Sequence, residues 1–404
     1  MAAAGSRTAL IRALGLPVLL PSLLYSIGEG AVLPVVAVTA RQLGGSVPIA
    51  ALIVALIGIG TLVTDLPAGR LAGRFGERHA MIGSAVVTIV SVGAFVLFPS
   101  LALLAAAMLV CGAALSIWGL SRQTFITEAT PIHLRARALA LLGATHRVGT
   151  LIGPFLGAAV ITVAGTRATF VFYVVLSALT VAALLAVPDP DQERQKAERR
   201  VRSPRSTRAL LGEYKQLLGT LGVCMLVLSA MRSSRNALLP LWCHHIGIGS
   251  AQISLISGLL SGLELMVFYP AGLLMDRRGR SYVAVPCMTL MALSHLLLPL
   301  SHSIGVLVAV IVPLGIGNGL GTGINMTLGA DVSPDDARPE FLGIWRLVSD
   351  TGASGGPSMV SAVSAVAPLA AASAAIGVAG VLGAVGLVRF IPRFIRLPAP
   401  TATE

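Results

Sequence analysis

Several ionisable residues fall inside apolar stretches of this sequence, at spacings that put them on shared helix faces. Ser22, Tyr25, Ser26 and Glu29 recur at i, i+3, i+4 and i+7, one polar stripe with Glu29 near the middle of the first apolar run. Arg232, Arg235 and Asn236 share a face of the seventh run, and Ser257, Ser261 and Glu264 form a stripe in the eighth. Arg122 lies in the fourth run, His146 and Arg147 in the fifth, Thr61 and Asp65 in the second, and Arg346 and Asp350 in the eleventh. Charges in hydrocarbon are costly, so they turn toward a wet interior and mark substrate or ion pathways. A carboxylate in a dry cavity prefers its proton, and a nearby guanidinium reverses that preference. Glu29 and Glu264 are the expected counter-ions of Arg232 and Arg235 across a central cavity. Conformation or substrate can then switch their protonation, which is the minimal device for proton-coupled exchange. Blander roles compete at other positions. Arg346 and Asp350 can pair along one helix, Asp65 sits toward a helix end, and His146 with Arg147 fits a structural pair at a gate edge. Trp118 and Trp345 can stack on a planar substrate or pack between helices.

The elements that position these residues follow from composition. The chain has 404 residues, 55% hydrophobic and 11% charged, with mean hydropathy +0.87. Soluble domains carry about 25% charged residues. Apolar runs fall at approximately 14–40, 48–72, 80–98, 101–128, 137–163, 168–187, 216–242, 250–274, 282–301, 304–330, 341–365 and 367–391. Each has about the 20 residues that cross a bilayer. The reading is an all-α polytopic membrane protein with twelve transmembrane helices. The net charge of +12 would suggest nucleic acid on a soluble protein. Here the arginines sit in alternate gaps: Arg7 and Arg12, Arg74 and Arg78, Arg135 and Arg137, the cluster from Arg194 to Arg208, Arg277 to Arg280, Arg338, then Arg393 and Arg396. The opposite gaps carry little beyond Arg41 and Arg167, which places both termini in the cytoplasm. The N-terminus resembles a signal peptide but shows no clear cleavage site, so it is read as a retained helix. Basic residues are arginine except Lys196 and Lys215, which suggests a GC-rich bacterial genome and a bacterial plasma membrane. Cys111, Cys224, Cys243 and Cys287 are too scattered for a metal site or disulfide framework. His244 and His245 read as solvated loop residues. No nucleotide-binding loop or nucleophile constellation is present, so an enzyme, a cofactor and a metal are not expected. The glycines from Gly315 to Gly323 lie within the tenth run and read as a close-packing or bending segment.

The two halves repeat. Pro67-Ala68-Gly69 recurs as Pro270-Ala271-Gly272, an offset of 203 that also relates Gly76 to Gly279, Gly112 to Gly315, Glu128 to Asp331, Gly149 to Gly352 and Gly153 to Gly356. Parallel repeats are a transporter architecture. The expected organisation is 1–187 as an N-terminal six-helix bundle, 188–212 as a cytoplasmic linker and 213–404 as a C-terminal six-helix bundle. Aligning Pro34 with Pro240 puts Glu29 opposite Arg235.

Nearly the whole chain resembles the major facilitator superfamily. Asp276-Arg277-Arg278-Gly279-Arg280 is similar to that family's loop signature, and Gly69 to Arg78 is its first-half copy, with Gly73 where the family places an acid. The resemblance implies a gating latch: Asp276, Arg277 and Arg280 with Asp331 in one half, Gly73 and Arg74 with Glu128 in the other. It also makes Arg122 the counterpart of an arginine tied to proton coupling. Gly149, Gly153, Pro154 and Gly157 resemble the fifth-helix signature of drug/proton antiporters. Physically they form a packing seam, because glycines four apart share a face and Pro154 removes a helix hydrogen bond. The function implied is secondary active transport by alternating access, a proton-coupled efflux of a small organic molecule by a monomer. An uptake symporter or facilitator for a small, even anionic, solute is the alternative, and a lipid flippase another. The partners expected are substrate, protons and lipid, and no nucleic acid.

Overall fold

The computed structural model describes residues 18–130, 134–186, 207–334 and 337–395. Long helices follow one another: α1 Leu20–Gln42, α2 Val47–Phe75, α3 Glu77–Leu97, α4 Leu101–Ala129, α5 Arg135–Ala164, α6 Thr166–Leu185, α7 Lys215–His245, α8 Ser250–Arg278, α9 Ser281–Leu300, α10 Ile304–Val332, α11 Arg338–Ser364 and α12 Leu369–Phe394. Eleven of them are long and apolar enough to span a membrane. The remaining one, α11, has 27 residues, about 40 Å of helix, so length does not exclude it. Its Arg338, Glu340, Arg346 and Asp350 lower its apolarity.

Breaks fall where the backbone chemistry requires them. Pro34 sits in a 3₁₀ turn, Leu33–Val35, inside α1, because proline cannot donate to the preceding turn. The first stretch of α10 ends at Gly321 and helix resumes at Ile324, so the glycine-rich stretch bends the element.

The chain divides into two compact units, Met1–Val201 with Cys243–Gly258, and Arg202–Trp242 with Leu259–Glu404. Most of the expected linker, 188–212, lies outside the described residues; the chain is helical again from Thr207 to Glu213. In the first unit α1 packs against α5 and α6, α2 against α4, and α3 against α4 and α6. In the second, α9 packs against α10 and α12, and α11 against α12. All four cysteines are buried free thiols.

The offset of 203 is a packing register. Gly44 and Gly247 turn at φ 84° and 83°, and Gly76 and Gly279 at 86° and 96°, a region L side chains avoid. Ser100 and Ser303 cap α4 and α10 in the same way, each accepting from the backbone three residues on. The glycines of α5 lie against α1: Gly149 by the Leu23 carbonyl and Gly153 by the Ile27 carbonyl, with Gly157 on Ala31. Gly352 and Gly356 of α11 meet the Leu226 and Ala230 carbonyls of α7, the same partners displaced by 203. Gly112 against Ile57 recurs as Gly315 against Leu260. This register corrects the proline alignment. Glu29 corresponds to Arg232, not Arg235, because Pro34 occupies a 3₁₀ turn while Pro240 is carried inside a continuous helix.

Candidate functional site

In the first unit the polar stripe of α1 meets α4. Tyr25 is fully buried and stacks on Trp118, with ring centroids 4.5 Å apart and planes inclined by 23°. Its hydroxyl pairs with Thr88 of α3 at 2.9 Å, and Tyr173 of α6 meets its edge at 5.8 Å. This aromatic block holds Glu29 and Arg122 about one helical turn away along their own helices. Both are half-buried and interact electrostatically. Among the described residues, neither side chain has a hydrogen bond or an ion pair, and Arg122 Nη1 is buried without an acceptor. Ser22 Oγ, Ser121 Oγ and Trp118 Nε1 are also buried without partners. Ser26 joins α1 to α5 through His146 Nδ1 at 2.8 Å. Arg147 follows on α5, within electrostatic reach of His146. Asp65 of α2 accepts from Ser116 Oγ of α4 at 2.5 Å.

The second unit arranges its charges differently. Arg235 Nη1 and Glu264 Oε1 form an ion pair, with side chains 20% and 15% exposed. Arg232 donates to the Gly321 carbonyl at 3.0 Å, at the break in α10. Arg346 and Asp350 pair along α11 at 3.3 Å, with the arginine nearly half exposed. Trp345 Nε1 donates to the carbonyl and side-chain oxygens of Asn325, both at 2.9 Å. His244 and His245 are exposed at the end of α7.

The latch residues divide. Arg280 Nε donates to Asp331 at 2.8 Å, while its Nη1 reaches Asp276 at 3.4 Å and the Met275 carbonyl at 3.2 Å. The hydrogen bond it donates to Asp331 holds the guanidinium above its ordinary value. Arg277 is exposed, and among the described residues it makes no ion pair. In the first unit Arg74 is exposed and lies over the Phe75 ring at 5.7 Å. The side chain of Glu128 and the surroundings of Gly73 lie outside the described residues.

His295 escaped the sequence reading. It is buried in α9, its Nδ1–H donates to the Met291 carbonyl at 2.8 Å, and Nε2 lies 3.3 Å from Ser234 Oγ. A carbonyl only accepts, which fixes the proton on Nδ1. Ser373 of α12 bonds its backbone carbonyl at 2.6 Å. A void with room for about one water adjoins it, lined by Arg235, Ser294 and apolar side chains including Leu238 and Leu314. The available signal was an ionisable residue inside an apolar run.

The register compares the two units. Arg122 corresponds to Asn325 and His146 to Ser349. That second pair is neutral and mutually satisfied, Asn325 Nδ2 donating to Ser349 Oγ at 2.7 Å.

The sequence profile of the Major Facilitator Superfamily matches residues 18–234 and 221–404. No curated protein matches the chain. Solved structures share its fold at low identity. A POT family transporter in complex with a thioalcohol-conjugated peptide superposes with a TM-score of 0.77 at 13% identity, over 95% of this chain and 96% of that one. A mutant of the nucleoside transporter NupG gives 0.75 at 14%, over 93% and 99%. A bacterial homologue of the human lysosomal transporter Spinster, inward-facing and unoccupied, gives 0.70 at 14%, over 97% and 99%. The chain belongs to the major facilitator superfamily. It is a multi-pass membrane transporter and not an enzyme.

Proposed function

We propose that this chain is a proton-coupled secondary active transporter that exports a small organic solute by alternating access, with Glu29 carrying the proton and Arg122 as its electrostatic counterweight. The observation that carries the reading is Arg122 Nη1, buried without an acceptor, while Glu29 makes no ion pair among the described residues. A guanidinium buried without an acceptor is destabilising, and it persists within a membrane where function requires it. An ionised Glu29 is drawn toward Arg122 and a protonated one is released. A proton and a solute that both engage Glu29 and Arg122 can therefore exchange for one another. Arg280 with Asp331 and Asp276 forms a charge-assisted latch at the end of the second unit that must open when the transporter changes state. Efflux is the direction implied by the resemblance of Gly149, Gly153, Pro154 and Gly157 to the drug/proton antiporter signature, in a monomer in a bacterial plasma membrane with both termini cytoplasmic. The POT family transporter of similar fold was solved with a peptide conjugate, which makes peptide-sized solutes one class to screen.

The test uses purified protein in proteoliposomes loaded with a pH-reporting dye and an imposed inside-acid gradient. Screened solutes that dissipate the gradient through wild-type protein identify antiport. Glu29→Gln is expected to remove that proton flux. Transport by wild type at a rate indifferent to the gradient overturns the coupling, and normal proton flux through Glu29→Gln overturns the assignment.

A further inference from the structure

We infer that Glu29 of α1 and Arg122 of α4 together take an amphoteric solute, its anionic group held at Arg122 and its basic nitrogen at Glu29. This rests on the proposed placement of substrate at those two residues. The Tyr25–Trp118 stack fixes one level shared by the two helices. Glu29 lies four residues beyond Tyr25 on α1, and Arg122 four residues beyond Trp118 on α4. Three chain reversals separate α1 from α4, so the helices run in opposite directions. The two charges consequently lie on opposite sides of the stack. Four residues rise about 6 Å, so each charge lies about one turn from the stack along its own helix. Helical side chains lean toward their own N-terminus. Both charges lean toward the aromatic level and therefore toward each other, with the rings between them. This spacing explains why opposite charges on facing stripes make no ion pair.

What each side lacks identifies what it binds. On the Arg122 side, Arg122 Nη1 and Ser22 Oγ are buried without partners, and Trp118 Nε1 in the stack is a third such group. Guanidinium and indole nitrogens only donate, and Ser22 lies one turn before Tyr25, on that same side. An acceptor with several lone pairs, a carboxylate or phosphate, satisfies such a group. On the other side an ionised Glu29 only accepts, and a protonated amine supplies what it needs. A solute with a single charge leaves either Glu29 or Arg122 unmatched. In the second unit Arg235 and Glu264 already neutralise each other.

The experiment is equilibrium dialysis of the full-length purified protein in detergent with two radiolabelled probes, 4-(aminomethyl)benzoate and 6-aminohexanoate. The singly charged competitors are 4-methylbenzoate, benzylamine, hexanoate and hexylamine. At least one amphoteric probe is expected to bind tenfold or more tighter than both of its singly charged analogues. Glu29→Gln should abolish the gain over the anionic analogue, and Arg122→Gln the gain over the amine, with melting temperatures confirming that both variants fold. If neither probe binds, if neither shows a gain, or if the gain survives in both variants, the inference is overturned. Dialysis imposes no pH gradient, so its failure leaves the proton coupling standing. Conversely, a Glu29→Gln variant that still follows an imposed gradient sinks the coupling and leaves the binding result intact.

Discussion

Replacing Glu264 with glutamine should destabilise the second unit more than any other single charge removal in it. Arg235 would keep its position beside the void lined by Leu238, Leu239, Leu298, Val310, Ile311 and Leu314, with Arg232 as a like-charged neighbour. Breaking a buried ion pair by removing one partner costs about 3–5 kcal/mol. The residual exposure of 20% and 15% favours the lower end, since solvent recovers part of the loss. A domain of this size shifts by roughly 2–4 °C per kcal/mol, so the expected drop in melting temperature is on the order of 10 °C. The four buried thiols, Cys111, Cys224, Cys243 and Cys287, make a maleimide dye a direct reporter of unfolding. The double variant Arg235→Met/Glu264→Met removes both charges and preserves volume, and is expected to recover most of the stability, because apolar replacements of buried pairs are often neutral or stabilising. A Glu264→Gln protein that melts with wild type would refute the reasoning. So would a double variant as unstable as the single one.

Gly153→Val should cost about 1–3 kcal/mol by overpacking, because its Cβ would meet the Ile27 carbonyl of α1. Gly83→Ala, where a Cβ meets nothing within 4 Å, should melt at or above wild type; equal behaviour of the two variants would contradict the seam. Asp331→Asn should change stability by less than about 1 kcal/mol, since the Arg280–Asp331 pair is partly exposed. The raised value of Arg280 means that its contribution is fully present below the ordinary arginine value and is lost only as pH rises through the raised one. Its titration should therefore leave the melting temperature flat between about pH 5 and 9, and a step in that range that vanishes in Arg280→Gln would contradict this. The double variant Arg122→Asn/His146→Ser copies the neutral pair of the second unit, so it should melt no lower than wild type while losing solute transport in proteoliposomes. Retained transport would remove the first unit's charges from the mechanism.

Much of this was legible before any coordinates. Apolar run lengths and alternating arginines gave the helices, and the glycine and proline pairs at an offset of 203 gave the repeat. The stripe of Ser22, Tyr25, Ser26 and Glu29 is a local property of one helix, and it survives intact. Partnership is not local. The pairing of Pro34 with Pro240 failed as an alignment because prolines mark a break in one helix and are absorbed in the other. The proper register shows in which carbonyl each glycine touches, and that depends on two helices at once. His295 was missed because its partners Ser234, Met291 and Ser373 come from α7, α9 and α12, and nothing in the run around it announces them. The counter-ion of Arg235 was ambiguous between Glu29 and Glu264 by sequence; within the second unit, geometry pairs it with Glu264.

The repeat also separates scaffold from chemistry. A polar group inside a bilayer persists either because the fold needs its hydrogen bond or because function needs its charge. Contacts that recur at the offset belong to the first kind: Gly112 on Ile57 and Gly315 on Leu260, Gly153 on Ile27 and Gly356 on Ala230. Of the charges named inside the spans, none recurs with its own sign. Arg122 and His146 face Asn325 and Ser349 in the register, and a neutral hydrogen bond of 2.7 Å suffices there. Arg235 and Glu264 correspond to Val32 and Thr61, where Thr61 satisfies itself on the Gly112 carbonyl at 3.0 Å. Glu29 and Arg232 occupy equivalent positions with opposite sign. At Arg122, His146, Arg235 and Glu264, therefore, one unit tolerates neutrality where the other carries a polar or charged side chain. Folding alone does not account for the charges, and the cost of holding them in an apolar medium has to be met by what the transporter does with them.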